Sequence, residues 1–184
     1  IGINESSPTT QLQITGATGA GGTISLKRPN TTVTAGQTLG GIEFLTADSG
    51  SAGIAARILG EGDGTGGEGR LVFATGTGGS ASERMRILSD GKVGIGNSAP
   101  GYKLLVDTTD GAYITQLRNL HASDPFGLFV QYTSAAPDGA GNYAYVFQDS
   151  SATRFLVASN GNVTNHDNSY GAISDERIKQ DIRD

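Results

Sequence analysis

The chain repeats itself. Its opening, IGINESSPTTQLQITG, aligns with VGIGNSAPGYKLLVDT at an offset of 92 residues, so that Ile1, Gly2, Ile3, Ser6, Pro8, Leu12 and Ile14 fall on Val93, Gly94, Ile95, Ser98, Pro100, Leu104 and Val106. A second echo, at an offset of 70, sets Ser89-Asp90-Gly91-Lys92-Val93 against Ser159-Asn160-Gly161-Asn162-Val163. A third sets Ile42-Glu43-Phe44-Leu45-Thr46 against Leu71-Val72-Phe73-Ala74-Thr75. The spacings are unequal, so a regular solenoid does not follow. The pattern is that of a modular β protein that reuses small units.

The local signals agree. Runs rich in β-branched and aromatic residues fall at 41–47, 54–59, 70–75, 83–88, 92–95, 103–106, 113–119, 127–132, 143–149 and 153–158. Asp90-Gly91 and Asn160-Gly161 lie between such runs, and both dipeptides are strong hairpin signals because they tolerate positive φ. Residues 60–69 read as a Gly-rich inter-strand loop. Only 174–184, SDERIKQDIRD, has another character. There Ser174 is a good N-cap, Asp175 and Glu176 suit the positive end of a helix, and Ile178 and Ile182 stack at i, i+4. The expected fold is therefore all-β, with short strands, hairpins and a short C-terminal helix start. Three segments are expected: 1–107, shaft or collar modules carrying the repeat at 1–16 and 93–108; 108–172, a distal β-rich head; and 173–184, a junction.

Composition says how such a chain gains stability. Glycine accounts for 29 of 184 residues, apolar residues for only 36%, and Trp is absent. Glycine loses the most chain entropy on folding, and a chain poor in apolar mass offsets that cost with difficulty. Disorder is one outcome, but disordered chains are usually highly charged, and here charged residues are 17%. Burial between intertwined subunits is the expected outcome. A net charge of −5 with no basic run argues against nucleic acid as a partner. Cysteine is absent, so there is neither a disulfide framework nor a thiolate metal site. No apolar run approaches the roughly 20 residues of a membrane span, so membrane insertion is not expected. The chain opens on Ile1 and reads as an excerpt of a longer protein.

Few residues point to chemistry. Gly62, Gly64 and Gly67 satisfy GxGxxG, but a strand-like run follows where a helix should begin, and Glu61, Asp63 and Glu68 would repel phosphate. A calcium loop through Asp63 is the other functional reading of this stretch. His121 and His166 lie outside any ligand-spaced motif, and neither a metal nor a cofactor is expected. Nine of the twelve Phe and Tyr residues lie from Tyr113 onward. Much of this set should be core, while an exposed subset could stack on sugar rings. Tyr113, Phe126, Tyr132, Tyr143 and Tyr145 are the receptor-contact candidates.

Two segments carry a resemblance. Residues 83–107, ERMRILSDGKVGIGNSAPGYKLLVD, resemble the recurrent segment of phage tail fibres and related bacterial fibre proteins that leads from a shaft into the next module. The copy at 1–16 is similar to its second half. Residues 173–182, ISDERIKQDI, resemble the junction of the endosialidase-type intramolecular chaperones, also classed as self-cleaving serine peptidases.

The resemblance implies a homotrimeric fibre tip on a phage virion. Its partner would be a cell-surface glycan, favoured over an outer-membrane protein. A bacterial cell-surface or secreted adhesive fibre and a purely structural shaft are the alternatives. It further implies that the chain is not a free-standing enzyme. A single self-cleavage would fall between Ser174 and Asp175, with Ser174 as nucleophile and Lys179 as its base, and only where the full downstream chaperone is present. Residues five apart on one helix differ by about 140° around the axis, so this pair needs Ser174 outside the helix or Lys179 from a neighbouring chain.

Overall fold

A computed structural model of the chain describes residues 2–3, 13–14, 21–123, 126–139 and 141–167. Among these residues the protein is all-β, with no helix. The chain divides into two compact units, Ile1–Gln116 and Leu117–Asp184.

In the first unit, β1 (Gly2–Ile3) and β2 (Gln13–Ile14) form a short parallel pair. The main sheet follows in chain order: β3 (Thr38–Thr46), β4 (Gly53–Gly62), β5 (Gly69–Thr77), β6 (Ser80–Ile87), β7 (Val93–Ile95) and β8 (Leu104–Val106). Every neighbouring pair in it is antiparallel except β7–β8, which is parallel. The second unit holds β9 (Tyr143–Gln148), β10 (Thr153–Ala158) and β11 (Val163–Asn165), with β10 in the middle.

The sequence echoes are structural copies. Gly2 pairs with Gln13 and Ile3 with Ile14, and 92 residues on Gly94 pairs with Leu105 and Ile95 with Val106. Parallel neighbours usually need a crossover of about a dozen residues or more. Here eight residues, 96–103, join β7 to β8. The short path requires glycine. A Cβ on Gly94 would lie 2.2 Å from the Asn97 carbonyl oxygen, and Gly96, at φ +72°, presses against the Asp107 carbonyl.

The offset of 70 is equally literal. Leu88 N–H donates to Lys92 O and Gly91 N–H to Leu88 O, while Ala158 N–H donates to Asn162 O and Gly161 N–H to Ala158 O. The Asp90 carboxylate accepts from Lys92 N–H as the Asn160 side-chain oxygen accepts from Asn162 N–H, both at 3.0 Å. The strands keep one register: Met85, Arg86 and Ile87 face Ile95, Gly94 and Val93 as Phe155, Leu156 and Val157 face Asn165, Thr164 and Val163. The β6–turn–β7 hairpin is thus used again as β10–turn–β11. The copy then departs: Thr164 replaces Gly94, His166 replaces Gly96, and Ser174, Asp175 and Glu176 stand at the offset where Leu104, Leu105 and Val106 should recur. A Cβ such as threonine's at the Gly94 position would collide with the Asn97 carbonyl that passes over it between β7 and β8.

Alternation along strands assigns the faces of the main sheet. Ile42, Ile58, Phe73, Met85, Ile95 and Val106 form one cross-strand row spanning all six strands. Beside it runs a second row of Gly60, Leu71, Ile87, Val93 and Leu104. Both rows are apolar, and Thr75 and Ser82 continue the face beyond them; Leu26 lies against it at Gly40, yet Ile42 is 54%, Leu71 45% and Leu104 61% exposed. The opposite face holds the row Gly41, Leu59, Val72, Arg86, Gly94 and Leu105. There the 96–103 connection passes over Gly94, and Leu59, Val72, Ala74 and Arg86 are buried.

Two expected strands, 113–119 and 127–132, carry no strand in the chain. A strand exists only through its hydrogen-bonded neighbour, and neither run has one here. The Gly-rich stretch is also shorter than expected: β4 extends to Gly62 and β5 begins at Gly69, leaving a tight loop closed by an Asp63 N–H bond to Glu68 O. The expected helix start at 174–184 lies outside the described residues.

Gly91 and Gly161 sit at φ +76° and +87°. Forcing an L residue into this region costs about 1–2 kcal/mol, so Gly91→Ala and Gly161→Ala should each lower the denaturant midpoint. Gly101→Ala, with nothing within 4 Å of the new methyl, should leave it nearly unchanged. Equal midpoints for all three variants would contradict the turn assignment.

Candidate functional site

All five aromatic candidates are exposed in the chain, and they differ in how firmly each is held. Tyr113, in the first unit, is 99% exposed. In the second unit Phe126 is 82% exposed, with its backbone carbonyl accepting a 2.9 Å bond from Asn119 Nδ2. Tyr132 donates its hydroxyl to the Tyr143 carbonyl at 2.7 Å, which ties the 126–132 run to the start of β9. Tyr145 packs edge-on against Phe155, with ring centroids 5.9 Å apart. The strand period puts Tyr143, Tyr145 and Phe147 on one face of β9, and the register adds Phe155, Val157 and Val163 to it. The two tyrosines of β9 thus present ring faces with polar edges on a rigid element, the geometry that stacks on a sugar ring and bonds its hydroxyls. Tyr113 and Phe126 lie on irregular backbone and offer apolar area without that fixed orientation.

Ser174, Asp175 and Lys179 lie outside the described residues, so their geometry is not part of this site.

Sequence reasoning missed the charge network on the covered side of the main sheet. Glu61 and Arg70 are cross-strand partners, and the guanidinium binds one Glu61 oxygen at 2.9 and 3.1 Å. The same Arg70 reaches Asp63 at 3.4 Å. The other Asp63 oxygen accepts both the backbone N–H and the hydroxyl of Ser89, at 2.9 and 2.8 Å. These two Ser89 bonds, followed by Arg70, hold the Asp63 carboxyl below its ordinary range. One carboxylate therefore locks the β4–β5 loop to the β6–β7 turn. Next to it, buried Arg86 makes a two-pronged pair with Glu83 and donates to Ser98 O at 2.8 Å, anchoring the 96–103 connection. The pairing with Glu83 raises the Arg86 pKa, so the guanidinium stays charged.

Asp63 is thus committed to Ser89 and Arg70, not poised as a cation ligand. Among the described residues no group of three or more His, Cys, Asp or Glu side chains could hold a metal ion. His166 pairs with Asp167 at 2.7 Å, and the His121 ring accepts from Ser123 N–H. No helix among the described residues is long and apolar enough to cross a membrane.

Arg84 borders an open polar cleft of about 500 Å³ together with Gly96, Asp107, Thr108, Thr109 and Asp110. It is the second surface where hydroxyl-rich ligands could find partners. The signal for it in the sequence was weak: Asp107 and Asp110 are three residues apart, and Arg84 is distant from both. No known protein family and no curated protein matches this sequence.

Because Asp63 is depressed in the folded state, its contribution to stability is present above pH 3.8 and is lost as pH falls through its folded value. Asp63→Ala should therefore lower the thermal midpoint near neutral pH. The gap to wild type should stay constant down to about pH 5 and close below pH 4. A gap that persists unchanged at about pH 2 would show that the carboxylate's charge is irrelevant to the lock.

Proposed function

We propose that the chain is one of three identical subunits of a β-rich fibre whose distal part, 108–172, attaches to a cell surface. A glycan is the favoured receptor and an outer-membrane protein the other. The observation that carries this reading is the partly exposed apolar face of the main sheet. Among the described residues, Ile24 and Leu26 lie beside its Gly40–Ile42 end, while Ile42, Leu71, Ile95 and Leu104 remain exposed along the rows.

The resemblance of 83–107 to tail-fibre segments supports threefold assembly and a virion location. A bacterial cell-surface or secreted fibre built from the same modules is the alternative setting. Attachment through a trimer is chemically economical, since weak sites presented together gain avidity. Tyr143 and Tyr145 on β9 are the contacts best formed for a sugar.

Light scattering should give about three times the chain mass of 18.8 kDa. Phe73→Glu, at the centre of the apolar row, should abolish that mass, because a charge would be buried without a partner. A well-folded wild-type monomer refutes the proposal. On a glycan array and on host cells the wild-type trimer should bind, and Tyr145→Ala should weaken binding roughly tenfold or more if stacking is worth about 1.4 kcal/mol. Full binding after deletion of 108–172 would place the receptor site elsewhere.

A second reading concerns the junction. The repeat ends where Ser174-Asp175-Glu176 replaces Leu-Leu-Val, inside the segment that resembles a self-cleaving chaperone junction. In a longer chain carrying that chaperone, intact mass should reveal a cut between Ser174 and Asp175. Ser174→Ala should stay whole and Lys179→Ala should cut far more slowly, since the hydroxyl needs a base. Cleavage of Ser174→Ala at the wild-type rate would reduce Ser174 to a helix cap.

A further inference from the structure

Residues 126–132, Phe-Gly-Leu-Phe-Val-Gln-Tyr, have the composition of a buried strand and the surroundings of none. Phe126, Leu128, Val130 and Tyr132 alternate, so an extended backbone would put them on one side with Phe129 on the other. All five side chains are exposed in the chain, Leu128 at 74% and Phe129 at 80%. The run is nevertheless positioned. Asn119 holds the Phe126 carbonyl, and the Tyr132 hydroxyl holds the Tyr143 carbonyl at the start of β9. β9 is an edge strand, bonded to β10 on one side only.

We infer that 126–132 is a strand of the assembled fibre, completed by pairing with a second copy of this chain. The inference rests on the subunit reading above and specifies which segment is exchanged.

Three observations favour a second copy as occupant. The first is charge. Copies of one chain bring like side chains together, and like charges facing each other across strands destabilise the pair. No charged residue occurs from 126 to 137, and none occurs within β9. The second is the missing guard. Exposed strand edges in soluble proteins are usually protected by Lys, Pro or a bulge that blocks further pairing. Neither Lys nor Pro stands in 126–132 or in β9; the one irregularity on β9 is at Ala144, near its start, so Tyr145 to Gln148 stay unguarded. The third is apolar surface. Phe126, Leu128, Phe129 and Val130 are each half exposed or more, and a paired copy would bury them. Added beside the edge strand β9, the new strand would extend the face shared by Tyr145, Phe147, Phe155, Val157 and Val163 without covering it.

Two measurements on the wild-type length of chain test this. Hydrogen exchange read by mass spectrometry should show the amides of 126–132 slowed roughly 100-fold or more relative to an unstructured peptide. With p-benzoylphenylalanine placed at position 129, illumination should give covalent products at twice and three times the chain mass. A trimer by light scattering whose 126–132 amides exchange freely overturns the inference and leaves the subunit reading standing. So does a trimer with crosslinks confined to single chains or absent, since the run would then pair with its own β9 or with nothing. A monomer overturns both.

Discussion

The structure depends on one contact only partly fulfilled: a six-strand apolar row, Ile42–Ile58–Phe73–Met85–Ile95–Val106, flanked among the described residues by Ile24 and Leu26 at its Ile42 end and still exposed at Ile42 and Ile95. Burial of each such side chain is worth about 1.5–3 kcal/mol, and a chain with 29 glycines needs those contributions to offset its ordering cost. The opposite face is satisfied internally by Leu59, Val72, Ala74 and Arg86 under the 96–103 connection. The sheet therefore has one side closed within the chain and one side still largely exposed. The proposed trimer follows from this asymmetry more directly than from any motif.

The polar network on the closed side has a different task. A buried Arg86 left alone would be costly, so it is fixed by Glu83 and by the Ser98 carbonyl, while Arg70 and Ser89 hold Asp63. These contacts join segments distant in sequence, the 63–68 loop, the turn at 88–92 and the 96–103 connection. Their effect is to set the sheet's geometry, which an apolar face alone would leave free to slide. A rigid sheet is what the proposed fibre would need in order to present contacts at a defined spacing.

Much of the fold was legible because the repeated signals are local. Asp90-Gly91 and Asn160-Gly161 announce hairpins, since positive φ at the glycine is a property of the dipeptide and its immediate neighbours. The offsets of 92 and 70 mark real copies, down to the residues paired across strands. The runs at 113–119 and 127–132 misled for an instructive reason. Their period-2 pattern is genuine, but a strand is a relation between two segments, and the described residues supply them no partner. The aromatic candidates were legible by type, not by role. Tyr145 is held by Phe155, Tyr132 by the Tyr143 carbonyl, and Tyr113 by nothing comparable among the described residues.

The amino-acid sequence by itself determined the all-β character, the reused hairpin and the shortage of apolar mass in one chain, because each rests on local propensity, turn chemistry or composition. Only the tertiary structure decided that Asp63 clamps Ser89 rather than waiting for an ion, and that Gly94 is required by the carbonyl of Asn97 passing over it. It also decided that the apolar residues of six separate strands line up on one face. Those facts depend on which residues meet across strands, and register is set by the whole sheet at once, not by any run within it.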